Sequence, residues 1–113
     1  MNYFIEKEFA CKCCGVVKVD QDFLERLNLA REYAGIPMKI TSGYRCPKHD
    51  AEVGGKGNHD TGKASDVKCD NSQDRMKMLN AFIRAGFSRI GIAKTFIHVD
   101  TCENKPQHVC WVY

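Results

Sequence analysis

Between Thr95 and Thr101 the chain reads TFIHVDT, and as a strand this segment sends Ile97 and Val99 to one face and His98 and Asp100 to the other. One face enters a core, while the other offers an imidazole and a carboxylate side by side. Any fold open to the chain has to bury the first pair and keep the second pair at work.

The helical half of that core is written elsewhere. Asp20 caps a segment whose apolar positions Phe23, Leu24, Leu27, Ala30 and Ala34 recur at helical spacing, and Gly35 with Pro37 closes it. A second helix is expected from a cap at Ser72, through Met76, Leu79, Phe82 and Ile83, to Gly86. Strand-like segments are expected at 38–41, 64–69, 89–92, 96–101 and 109–113. The fold class expected is α+β: a small antiparallel sheet with helices packed on one side, in one domain over residues 1–113. The stretch 46–63 holds glycines at 54, 55, 57 and 62 and reads as a long loop.

That loop brings a second set of polar groups. His59-Asp60-Thr61-Gly62-Lys63-Ala64-Ser65-Asp66 carries a histidine out of the loop and a carboxylate into the following strand. With His98 they make two imidazoles and one carboxylate, a common catalytic zinc set that leaves a fourth position for water.

Composition excludes several other classes. Apolar residues make up 43% and charged residues 27% of the 113, the balance of a water-soluble globular chain. No run approaches membrane-spanning length, and Glu6, Lys7 and Glu8 interrupt the place where a signal peptide needs an apolar stretch. Synthesis in the cytoplasm, without membrane insertion, is the expectation. The net charge of +3 comes with no basic helix face, so nucleic acid is not an expected partner.

Several separated strings occur in a shared order: Ser42-Gly43-Tyr44-Arg45, then Val53-Gly54-Gly55, then His59 to Asp66 as H-x-x-G-x-A-x-D, and His98-x-Asp100. From about Phe9 to Trp111 the chain resembles the M15 zinc peptidases, which include D-Ala-D-Ala carboxypeptidases and phage endolysin peptidases and share a fold with the signalling domain of hedgehog proteins. The resemblance implies one Zn²⁺ per chain held by His59, Asp66 and His98, and hydrolysis of D-amino-acid-containing bonds in the peptidoglycan stem peptide. It also implies action at the cell wall after lysis or delivery by a phage particle. Gly62 and Ala64 then let the ligand-bearing segment turn tightly and sit close to its neighbours.

By the same resemblance Arg45 is the substrate arginine, and a guanidinium suits the grip on a terminal carboxylate or a developing oxyanion. The chain departs from the pattern in two places. Well-known relatives carry an acid three residues before the last histidine, where this chain has Thr95, and a serine two residues before the first, where it has Gly57. Asp100 is therefore expected as the general base, with a rival role of accepting the free N–H of a ligand imidazole. A catalytically silent, zinc-stabilised binding module is the alternative function.

Seven cysteines leave at least one thiol unpaired in a monomer. Cys11 and Cys14 form a C-x-x-C without a second such pair, so a zinc ribbon lacks its other half. Disulfides from Cys46 to the Cys11, Cys13, Cys14 cluster and between Cys102 and Cys110 are open options. His49 is expected in a solvated turn, His108 at the surface, and Trp111 in the core, with a site-lining aromatic as the alternative.

Overall fold

The computed structural model describes residues 2–54 and 59–113. Its elements run α1 (Gln21–Ala34), β1 (Ile40–Ser42), α2 (Pro47–Glu52), β2 (Ala64–Lys68), α3 (Ser72–Arg84), β3 (Arg89–Ile92), β4 (Phe96–Asp100) and β5 (Val109–Val112), with short 3₁₀ turns at Glu6–Phe9 and His59–Thr61. Architecture is mixed α+β around a five-stranded sheet in the order β1-β2-β4-β3-β5.

Local chemistry sets the helix ends. The Asp20 carboxylate accepts the Phe23 N–H at 3.0 Å, and Gly35 ends α1 in the left-handed region at φ 67°. In α3 the cap is Asn71, whose side chain accepts the Asp74 N–H at 2.8 Å, so the expected cap at Ser72 moves back one residue. The expected loop at 46–63 also contains structure. Pro47 at the first helical position, with Cys46 as cap, starts α2, and His49 lies in that helix rather than in a turn. The expectations for Gly55 and Gly57 fall outside the described residues.

The sheet is antiparallel except at one edge. β2 pairs β4 and β3 pairs β4 antiparallel, but β5 runs parallel to β3, which corrects the all-antiparallel expectation. The link 101–108 skips past β3 to reach the edge and is pinned on the way: Arg89 Nη1 donates to the Pro106 carbonyl at 2.6 Å and Gln107 Nε2 to the Cys102 carbonyl at 2.8 Å.

The apolar pair foreseen on β4 joins one core. Phe23, Leu27 and Ala30 of α1 and Met78, Ala81 and Phe82 of α3 cluster with Val67, Ile90, Ile97 and Val99 of the sheet. Each fully buried Phe, Leu, Ile or Val contributes about 1.5–3 kcal/mol relative to exposure. Among the described residues no helix is long and apolar enough to cross a membrane.

Candidate metal centre

Strand register lines up the site across the sheet. Ser42 is opposite Asp66, Asp66 opposite His98, His98 opposite Gly91, and Gly91 opposite Trp111, one residue from each of the five strands. Successive residues of a strand face opposite ways, so the pleat that sends Ile97 and Val99 into the core presents His98 and Asp100 on the other face. His59 arrives from its 3₁₀ turn, tied down where its carbonyl accepts the Arg45 N–H at 3.1 Å. Gly62 follows at φ 76°, where an added Cβ would stand 3.0 Å from the Lys18 carbonyl oxygen. That agrees with the tight turn expected there.

Three of the sequence-predicted ligands meet. His59 Nε2 is 3.2 Å from His98 Nδ1 and 3.4 Å from Asp66 Oδ1, and His98 Nδ1 is 3.0 Å from the same oxygen. All three residues are buried. Tetrahedral ligands about 2.0–2.2 Å from zinc stand about 3.3–3.6 Å from one another, so the triangle fits that ion with only small adjustment.

The outer hydrogen bonds say which ring atoms carry protons. His59 Nδ1 lies 2.8 Å from the Gly43 carbonyl, which can only accept, so Nδ1 bears the hydrogen and Nε2 presents a lone pair. His98 Nε2 lies 2.7 Å from Asp100 Oδ2, which leaves a lone pair on Nδ1. Two imidazole lone pairs and a carboxylate oxygen thus converge with no donor among them. Such a buried cluster needs a cation, either a metal ion or an added proton.

The pKa directions follow from this crowding. Burial pushes Asp66 up, but the hydrogen bonds and charge of His59 and His98 outweigh it and hold the carboxyl well below the usual range. His98 moves the other way: burial disfavours its charged form, yet the bonds to Asp100 and Asp66 prevail and raise it. Asp100 is held below its ordinary value, since His98, the Cys102 N–H and Arg89 together overcome its burial.

Asp100 lies behind His98. Its side chain is fully buried, with Oδ1 accepting Arg89 Nε at 2.7 Å and the Cys102 N–H at 3.1 Å while Oδ2 faces His98. Arg45 approaches from the opposite direction. It donates to Ser42 Oγ at 3.2 Å and Asp50 Oδ1 at 3.1 Å, and Nη2 stands 3.8 Å from Asp66 Oδ2. Thr95 is exposed in the β3–β4 turn, its carbonyl accepting the Cys69 N–H.

A cleft of about 560 Å³ opens over the metal triangle. It is lined by Arg45, Arg89, Lys105, Phe96, Trp111 and Tyr113 around His59, Asp66 and His98. Trp111 therefore faces the site rather than the core, its ring 5.5 Å from that of His98. Gly91 makes this possible, because a Cβ there would fall 2.5 Å from Trp111 Nε1. His108 lies outside the cleft and is exposed, as expected.

Neither Asp50 nor Arg89 was expected at the site from the sequence. A strand-opening arginine two residues from Gly91, on the same face, was a usable signal, since a charge in a buried strand needs a partner. Asp50 gave none, because its partner Arg45 lies across the start of α2.

All seven cysteines are free thiols, so neither proposed disulfide is present. Cys102 is buried and 3.8 Å from Thr61 Oγ1, while Cys110 is exposed on β5.

A family model described as Peptidase M15 matches residues 2–100, which takes in His59, Asp66, His98, Arg45 and Asp100 and stops before β5. No curated protein matches the chain.

Proposed function

From the chain's membership of the peptidase M15 family, we propose that it is a zinc-dependent peptidase acting on D-amino-acid-containing bonds of the peptidoglycan stem peptide. The observation that carries this reading is the convergence of His59 Nε2, His98 Nδ1 and Asp66 Oδ1, with both rings fixed from behind. Zinc held there by His59, Asp66 and His98 would supply Lewis-acid chemistry, activating a water near neutral pH and polarising the scissile carbonyl. The remaining roles belong to the chain. His59 is oriented by the Gly43 carbonyl and His98 by Asp100, which Arg89 and the Cys102 N–H hold in turn.

This arrangement favours the positioning role for Asp100 over the general base expected from sequence. Its carboxylate receives three donors, is fully buried and does not line the cleft. Arg45, braced by Asp50 and Ser42, keeps its guanidinium at the edge of the site, where it binds the substrate carboxylate or the oxyanion. Lys105 adds positive charge to the same cleft, and the aromatic wall of Phe96, Trp111 and Tyr113 takes the apolar part of the peptide. A hedgehog/DD-peptidase-like fold, and action at the cell wall after lysis or phage delivery, belong to this reading.

A second reading is a zinc-stabilised binding module without turnover. Two observations favour it: Thr95 stands where well-known relatives have an acid, and Asp66 is the only carboxylate among the described residues lining the cleft.

Mass spectrometry of a D-Ala-D-Ala stem peptide and of purified peptidoglycan, incubated with zinc-loaded protein, separates the two. Release of D-Ala identifies a carboxypeptidase and internal stem fragments an endopeptidase, each abolished by chelation and by His98→Ala. No product from protein carrying zinc at this centre would favour the binding module.

A further inference from the structure

Away from the cleft, a second group of metal-ligating side chains comes together. The Sγ atoms of Cys11, Cys14 and Cys46 lie within 4.8 Å of one another, and the Cys13 thiol adjoins that of Cys46. None of these cysteines lines the cleft. Thiolates bound tetrahedrally to zinc at about 2.3 Å stand about 3.8 Å apart, so Cys11, Cys14 and Cys46 need to contract by roughly 1 Å at most.

The backbone around it is shaped to present sulfur. The Cys11 N–H donates to the Val16 carbonyl at 2.8 Å and the Gly15 N–H to the Cys11 carbonyl at 2.7 Å, closing a tight knuckle over Cys11-Lys12-Cys13-Cys14-Gly15. Gly15 completes the reversal at φ 75°, a conformation that side chains other than glycine's rarely adopt. The Cys11 sulfur then accepts backbone N–H groups from Cys46, at 3.3 Å, and from Cys13 and Cys14. On the other side the Cys46 sulfur accepts the His49 N–H at 3.4 Å as the cap of α2.

Several N–H groups aimed at one sulfur fit a thiolate and are poorly matched to a disulfide, whose sulfurs are weak acceptors. Burial pushes the Cys11 thiol up, but these donors outweigh it and bring it down to about 6.

We infer that Cys11, Cys13, Cys14 and Cys46 form a second metal site, a zinc–thiolate centre separate from the His59, Asp66 and His98 triangle. Soft thiolates in this number select zinc over harder ions. Cys11 is buried while Cys13 and Cys14 are exposed, so an ion enters from solvent. The centre ties the N-terminal segment to the start of α2 beside Arg45. Consecutive N–H groups there reach different parts of the fold, from Tyr44 to the Phe9 carbonyl, from Arg45 to the His59 carbonyl and from Cys46 to the Cys11 sulfur. An added Cβ on Gly43 would fall 2.5 Å from Phe9 Cα, which shows how closely the two segments approach.

The test is metal analysis of the full chain, produced with zinc and purified anaerobically with reductant, followed by exchange into cobalt and absorption spectroscopy. Two zinc ions per chain are expected, and the cobalt form should show the near-ultraviolet sulfur-to-metal charge-transfer band of a thiolate site. His98→Ala should halve the zinc content and keep the band. The double variant Cys11→Ser, Cys46→Ser should halve it and abolish the band, and the wild-type band stands as the primary readout whether or not that variant folds. A single zinc with no sulfur band would overturn the inference. A single zinc with the band, retained in His98→Ala, would support this centre and count against the proposed catalytic one.

Discussion

Replacing Asp100 with Asn removes one charge and almost no volume, yet it strikes the hydrogen bonds that fix His98. The carboxylate receives three donors: His98 Nε2 on Oδ2, and Arg89 Nε with the Cys102 N–H on Oδ1. An asparagine has one oxygen for them. Left where Oδ1 was, that oxygen satisfies Arg89 and Cys102, and the amide NH₂ then faces His98 Nε2. The imidazole responds by carrying its proton on Nδ1, which aims a hydrogen at Asp66 and into the metal triangle. The opposite orientation sets the NH₂ against two donors at once. Loss of such an outer partner typically weakens metal binding by about 10–100-fold, or about 1.4–2.7 kcal/mol. Zinc affinity is measured by competition with a chromophoric chelator, and turnover is measured again at saturating zinc. The expected outcome is a 10–100-fold rise in Kd, with much of the activity recovered once zinc is in excess. An unchanged Kd with activity abolished would refute the reasoning and return Asp100 to the role of general base.

Other outcomes follow from the same geometry. With zinc stripped, the His98 imidazole should titrate above its ordinary value of about 6.5, as NMR can read. Its stabilising contribution is then complete below that pH and lost as pH rises through the raised folded value. Because the ion replaces that proton, zinc affinity should climb about tenfold per pH unit up to the raised pKa and then level off; a flat profile would count against the assignment. Gly91→Ala should force Trp111 out of place, costing about 1–3 kcal/mol of stability and shifting the fluorescence of the chain's single tryptophan, with zinc content unchanged. Arg45→Lys should lower kcat/KM for the stem peptide by roughly 100-fold, since a point ammonium cannot reproduce the forked guanidinium, and should leave the zinc Kd within a fewfold of wild type.

Much of the site was legible because its information is local. Alternation in β4 placed His98 and Asp100 together, and the spacing from His59 to Asp66 carried a loop histidine and a strand carboxylate in one string. Helix α1 was legible from Asp20 and Gly35, whereas at α3 two adjacent capping residues, Asn71 and Ser72, competed and the wrong one was expected. The parallel pairing of β5 was hidden because strand direction is set by the link 101–108 and its bonds to Arg89 and Cys102, contacts between distant residues. Helix α2 was masked by the glycines that follow it and by a cysteine in the capping position. The meeting of Cys46 with the Cys11, Cys13, Cys14 cluster was expected, but as a disulfide, because spacing alone does not show the backbone N–H groups that face these sulfurs where Gly43 lets the chain pass against Phe9. Trp111 was placed in the core ahead of a site-lining role because nothing in the sequence reveals that Gly91 clears room for it over the sheet.

The most direct test of the account is a crystal structure of the zinc-loaded protein with anomalous scattering recorded on either side of the zinc absorption edge. The expected result is a zinc peak bonded to His59 Nε2, Asp66 Oδ1 and His98 Nδ1, with His98 Nε2 still on Asp100. A zinc bound through His98 Nε2, or no zinc peak among these three residues, would contradict it.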